Sequence, residues 1–214
     1  MKALIVYSGG MDSAVLLHQY KDSIKMAVTF DYDAKHSLSE IKQARHNCTK
    51  LGIDHTSVHL GFIKYALKSS LLKNSDEEIP DGNCTESNKK STVVPFRNGI
   101  FLSIAAGIAE SEGLDTILIA NHFGDHAVYP DCTKAFIDAF AQSVEAGTYN
   151  KAKILSPYCD KSKREIALIG KDLGVDFSKT YSCYKGDTLH CGVCATCIER
   201  KEALFGFDTT TYKQ

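Results

Sequence analysis

Nowhere does the 214-residue sequence hold an apolar run near the roughly 20 residues that a membrane-spanning helix needs. The start, MKALIVYSGG, lacks the long apolar stretch and small-residue cleavage site of a secretory leader, so a cytoplasmic protein is expected. Charge of one sign is also missing. The net charge is −1, which gives no chain-wide basic footprint for nucleic acid, and none is expected as a partner. Cysteine is too sparse for a disulfide scaffold, with eight residues where such scaffolds exceed about 8–10% of the chain. Internal repeats and low-complexity segments are absent.

What is present is an ordinary globular composition, 43% hydrophobic and 24% charged. At about 100–200 residues per domain this reads as one unit over 1–214, with a metal-binding subregion at 181–205. Strand and helix patterns alternate. Apolar runs at 2–7, 24–30, 115–121 and 152–155, and the alternating stretch 55–60, read as strands. Helices are expected from Ser13 to Lys21, over 37–51 with Gly52 as stop, from Asn98 to Glu112, from Thr133 to Glu145 and from Ser162 to Leu173. Ser37 with Glu40, and Ser162 with Glu165, have capping-box spacing. Residues 73–91 are polar and rich in turn formers, and read as a long surface loop of the lid kind. This alternation predicts an α/β fold, a parallel sheet with helices on both faces and ligands at the carboxyl ends of its strands.

SGGMDS at 8–13 lies between the first strand and the first helix. Two glycines let several backbone N–H groups converge, and the helix N-terminus adds its positive dipole end, so the turn suits a phosphate. Asp12 and Ser13 are placed to cap the helix, and Ser8 and Ser13 to donate hydroxyls. The lysine of a G-x-x-x-x-G-K-[ST] loop is missing. Near the C-terminus Cys183 is followed by Cys191-x-x-Cys194-x-x-Cys197, a closed four-thiolate set suited to one structural Zn²⁺. An iron–sulfur cluster is the rival, but the C-P continuation of a ferredoxin run is missing. His122, Asp125, His126, Asp131 and Cys132 crowd a loop whose spacing fits no metal template. Arg97 precedes a helix after a proline, where it can meet an anion bidentately.

Taken together, SGGMDS at 8–13, FDY with Lys35-His36 at 30–36, VPFRNGIFLSIAAGIAE at 94–110, YPDC at 129–132, the Ser162-Lys163 helix start and SCY…CGVCATCIER at 182–200 run nearly the whole chain. In that order they resemble the 7-cyano-7-deazaguanine synthase (QueC) family of PP-loop ATPases. The resemblance implies a Rossmann-like fold of the adenine-nucleotide α-hydrolase type and cleavage of ATP, with Mg²⁺, to AMP and pyrophosphate. It implies a C–N ligase that converts 7-carboxy-7-deazaguanine and ammonia to the nitrile through adenylated carboxylate and amide, in queuosine biosynthesis, as a homodimer. By residue, it implies Tyr7, Ser8, Gly9, Gly10, Met11, Asp12, Ser13, Lys35 and His36 at the nucleotide. Arg97, Lys163 and Arg200 would stabilise phosphate or carboxylate, Asp131 would meet the deazaguanine edge, and Cys183, Cys191, Cys194 and Cys197 would hold the zinc. Asp33 and Ala34 stand where the family commonly has Gly-Gln, which raises a variant that stops at the amide. The other readings weighed are a tRNA-thiolating PP-loop enzyme and a zinc-stabilised nucleic-acid-binding module.

Overall fold

The computed structural model describes residues 1–82, 90–125 and 129–213, without the side chain of Asp125. Five strands form one parallel sheet: β1 (Ala3–Val6), β2 (Ile24–Asp31), β3 (Asp54–His59), β4 (Thr116–Leu118) and β5 (Lys153–Leu155), in the order β3-β2-β1-β4-β5. The helices are α1 (Met11–Gln19), α2 (Ser37–Leu51), the single turn α3 (Ile63–Ala66), α4 (Arg97–Ser111), α5 (Lys134–Gly147), α6 (Lys163–Asp172) and α7 (Ala195–Ala203).

The two-residue period of the strands divides the core. Ala3, Ile5 and Tyr7 face one layer with Leu16, Cys48 and Ile166 from α1, α2 and α6, while Leu4 faces the other with Leu102 and Ile137 from α4 and α5. Burial on both faces explains why β1 reads as a continuous apolar run. Edge strand β3 has only exposed and partly buried positions and keeps its polar residues.

Several expected boundaries move. The fourth strand stops at Leu118, the last residue paired with β1, opposite Ile5; Ala120 and Asn121 beyond it turn into a cleft. Helix α1 starts at Met11, two residues before the expected Ser13, because Gly10 takes the N-cap. Asp12 and Ser13 therefore lie inside the helix rather than capping it, and the Ser13 hydroxyl donates back to the Gly10 carbonyl at 3.2 Å. The Ser37–Glu40 capping box does not form. His36 occupies the N-cap without a side-chain bond, and the Ser37 hydroxyl accepts the N–H of Ala34 at 3.1 Å. The Ser162–Glu165 box does form reciprocally, and Gly52 closes α2 in the left-handed conformation. The described part of the 73–91 loop is fastened down: Gly82 N–H donates to the Val193 carbonyl at 2.8 Å, and Lys185 meets Asp81 at 2.6 Å. Cys84 and His126 lie outside the described residues. Among those described, no helix is long and apolar enough to cross a membrane.

Candidate active site

The sheet order reverses between β1 and β4, and an open cleft lies beyond their carboxyl ends. At its floor the chain leaves β1 through Ser8-Gly9-Gly10. Gly9 has φ +86°, and a Cβ there would fall inside contact distance of the Glu40 carbonyl oxygen, so both conformation and space demand glycine. The Gly9 carbonyl accepts Tyr181 N–H at 2.9 Å, which ties the loop to the C-terminal segment. The Gly10 N–H donates to Ser8 Oγ at 3.1 Å, and Ser8 and Ser13 share a hydroxyl contact of 3.0 Å. No side chain caps α1. Its first-turn N–H groups and positive dipole end thus open on the cleft, ready for an anion.

Beside this turn, Asp12 lies 3.9 Å from both Lys163 Nζ and His122 Nε2, and Lys163 also pairs with Glu199 at 2.9 Å. Asp12 Oδ1 is buried without a hydrogen-bond partner among the described residues. A carboxylate oxygen left over next to a phosphate turn is the donor type that Mg²⁺ takes from protein when it rides on a nucleotide.

The opposite wall is a polar chain from β2, α2 and α4. Arg97 Nη1 donates to the Tyr32 hydroxyl at 3.2 Å, the Tyr32 hydroxyl lies 3.3 Å from His36 Nε2, and His36 Nε2 lies 3.9 Å from Glu40 Oε2. Burial pulls His36 down to about 4, so it is neutral near pH 7. The same desolvation pushes the Glu40 carboxyl up to about 8, against the pull of Arg97. Tyr129, Tyr181, Tyr184 and Asn98 add further polar lining.

The expected residues therefore divide. Tyr7, Ser8, Gly10, Met11, Asp12, Ser13, His36, Arg97 and Lys163 line the cleft. Gly9 shapes the turn from behind. Lys35 points away, its ammonium donating to the Glu77 carbonyl at 2.9 Å. Arg200 is 1% exposed and spans Thr210, Ser182 and the Phe177 carbonyl at 2.6–2.9 Å, so it supports the cleft through Ser182 instead of entering it. Asp131 is buried behind Asn98 and accepts its N–H at 2.8 Å, which supplies the start of α4 with the side-chain cap that its N-cap residue Phe96 does not give. Glu40, Tyr181 and Tyr184 are lining residues that sequence reasoning did not place in the site, and Glu40 alone left a local signal. The available signal was the i, i+4 spacing of His36 and Glu40, which places them on one helix face.

Asp33 takes φ 58°, as a glycine would, but its carboxylate faces Lys64 at 2.9 Å and Lys73 at 3.5 Å, outside the cleft. Asp33→Gly is accordingly expected to leave nitrile formation within about twofold of the unchanged chain, because the carboxylate it removes is turned to Lys64 and Lys73 and does not line the cleft. Product assay by mass checks this, and accumulation of amide in the unchanged chain alone would contradict it.

Behind the cleft the sulfur atoms of Cys183, Cys191, Cys194 and Cys197 lie within 4.8 Å of one another, all buried. Cys191 and Cys197 Sγ are 3.9 Å apart, close to the roughly 3.8 Å edge of a tetrahedron with about 2.3 Å Zn–S bonds. Cys194 N–H donates to Cys191 Sγ at 3.3 Å and Cys191 N–H to Cys183 Sγ at 3.4 Å, contacts that favour thiolates. The donor set fits a closed metal site. Asp31, Asp33 and His59 also approach one another, but Lys64 and Lys73 already balance Asp33.

Residues 2–208 match the family model described as queuosine biosynthesis protein QueC. A 7-cyano-7-deazaguanine synthase of Porphyromonas gingivalis is 53% identical over 202 residues, 94% of this chain and 91% of that protein. One from Desulfotalea psychrophila is 50% identical over 98% of both chains, and one from Methanoregula boonei is 43% identical over 95% of this chain and 94% of that one. Among solved structures, NMN synthetase from Francisella tularensis aligns with a TM-score of 0.54 over 99% of this chain and 79% of that one, at 14% identity, a likeness of fold. With its sheet reversal, glycine turn and four-cysteine cluster in place, the chain belongs to the QueC family of queuosine biosynthesis proteins.

Proposed function

We propose that the chain is an ATP-dependent C–N ligase that makes 7-cyano-7-deazaguanine from 7-carboxy-7-deazaguanine and ammonia. The observation that carries this reading is the family match over residues 2–208, shared with relatives named for that activity. The geometry supplies its chemistry. A carboxylate is a poor acyl donor until its oxygen becomes a leaving group, and adenylation does that. The uncapped α1 start, Ser8 and Ser13 suit the departing pyrophosphate, and Lys163 sits where negative charge develops. Asp12 is placed to share Mg²⁺ with the nucleotide phosphates. Arg97, on the facing wall, suits the substrate carboxylate. The same pocket serves both rounds, because each attaches AMP to the same oxygen position.

Cys183, Cys191, Cys194 and Cys197 would hold one Zn²⁺ with no open position, a structural metal. The cysteines share a core with Leu102 and Ala105 of α4, which supports reading the chain as one unit with segment 181–205 built into it. The balanced charge, −1 overall, suits small anionic substrates better than RNA.

The test is incubation with 7-carboxy-7-deazaguanine, ammonia and Mg-ATP, with product identified by mass and AMP quantified. Two AMP per nitrile are expected, and no AMP above background would overturn the reading.

A further inference from the structure

Glu40 has left the job its sequence position suggests. It stands in the first turn of α2, yet it makes no capping box and its side chain lines the cleft, 19% exposed. Among the described residues, the titratable and charged groups set against it include His36 from the N-cap of its own helix, Tyr32 just past the end of β2 and Arg97 from α4. Its neighbour His36, neutral and weakly basic, offers no positive charge to pin the carboxylate. Among the described residues the cleft's other acidic side chain is Asp12, which lies beside Lys163 at the start of α1.

We propose that Glu40 is the proton acceptor for the nitrogen in this cleft, taking up the N–H protons that ammonia sheds on its way to the nitrile. The inference rests on the synthase reading above. In the first round the lone pair of ammonia forms the C–N bond, an N–H proton passes to the Glu40 carboxylate, and the C–O bond breaks with its electron pair leaving on AMP. In the second round AMP is carried on the former amide oxygen, and the nitrogen again loses a proton to Glu40. The lone pair this leaves becomes the third C–N bond as the C–O pair departs with AMP, and the last N–H proton follows. Between transfers the part-exposed carboxyl returns each proton to solvent. A carboxyl raised to about 8 by burial has the basicity this work needs near neutral pH, where an ordinary glutamate is too weak a base.

Glu40→Gln keeps the shape and removes the base. Exchange of labelled pyrophosphate into ATP, driven by 7-carboxy-7-deazaguanine without ammonia, reads adenylation alone. E40Q is expected to keep that exchange within a few-fold while amide and nitrile formation at fixed free ammonia fall about 10²-fold or more. Plotted at constant free ammonia, the unchanged enzyme should gain rate as pH rises through about 8, a limb E40Q lacks, and Glu40→Asp should restore part of it. Product formation by E40Q at the original rate, or equal loss of exchange and product, overturns the inference. Should E40Q fail to fold, the unchanged enzyme still decides: a flat profile across that range overturns it. Absence of carboxylate-driven exchange in the unchanged enzyme is a different failure, since it defeats the synthase reading itself.

Discussion

Gly9→Ala is expected to abolish adenylation and to lower the melting temperature, whereas Gly10→Ala, one residue on, should do far less. At Gly9 the backbone has φ +86°, and an added Cβ would drive into the Glu40 carbonyl and stand 3.0 Å from the Ala44 nitrogen. Both obstacles are backbone of α2, which cannot rotate aside as a side chain can. The left-handed conformation alone costs a non-glycine residue on the order of 1–3 kcal/mol. Relief of the clash must separate α2 from the phosphate turn, moving the N-terminus of α1 away from His36 and Glu40 together. In a chain of this size each kcal/mol lowers the melting temperature by about 2–4 °C. At Gly10 the φ is −75° and the nearest obstacle is the small Ser8 hydroxyl at 3.1 Å. Pyrophosphate exchange and thermal melting on the two variants check the contrast. Equal effects would mean that the space beside α2 is not what the turn depends on.

Removal of the Zn²⁺ proposed for the four-cysteine cluster is expected to cost activity as well as stability, although none of the four cysteines lines the cleft. The reason is what the cluster carries. Ser182 and Tyr184 flank Cys183, and Thr196 lies between Cys194 and Cys197; all three line the cleft. Glu199, one turn further on α7, pairs with Lys163, and Tyr181 holds the Gly9 carbonyl. Four buried thiols without an ion lose the charge balance that holds them together, and structural zinc commonly contributes on the order of 10 kcal/mol to the fold it organises. One zinc per chain by elemental analysis is expected. A strong chelator, or Cys197→Ser, should lower the melting temperature and pyrophosphate exchange in parallel. Visible absorption from an iron–sulfur cluster, or full activity after complete metal removal, would contradict this account.

The readable parts of the chain are those whose physics is local. Apolar runs bounded by turn residues marked the strands, Gly52 marked the end of α2, and the Ser162–Glu165 box marked the start of α6. Errors arose where a competing partner, near or far in the chain, displaced the expected one. Ser37 and Glu40 have a cap's spacing, but Ala34 N–H takes the serine, and the glutamate is drawn into a cleft built by three elements. Asp131 and Arg200 are polar residues in family motifs, and their burial behind the wall cannot be read from spacing. Each is held by groups far away in the chain, Asn98 in one case and Phe177 and Thr210 in the other. Lys35 and His36 are adjacent, yet the turn from β2 into α2 sends one outward and one inward.

The sequence by itself determined the α/β class, the glycine turn at 8–13, the four clustered cysteines and the family, because each depends on residue type and near-neighbour spacing. The tertiary structure decided which charged groups face the cleft and with what basicity. Proton affinity depends on how much water a group keeps and which charges stand within a few ångströms, and both are set by elements distant in the chain. That is why Glu40, unremarked as a site residue in the sequence, stands at the cleft wall with its carboxyl raised to about 8, and why Arg200 serves as an internal brace.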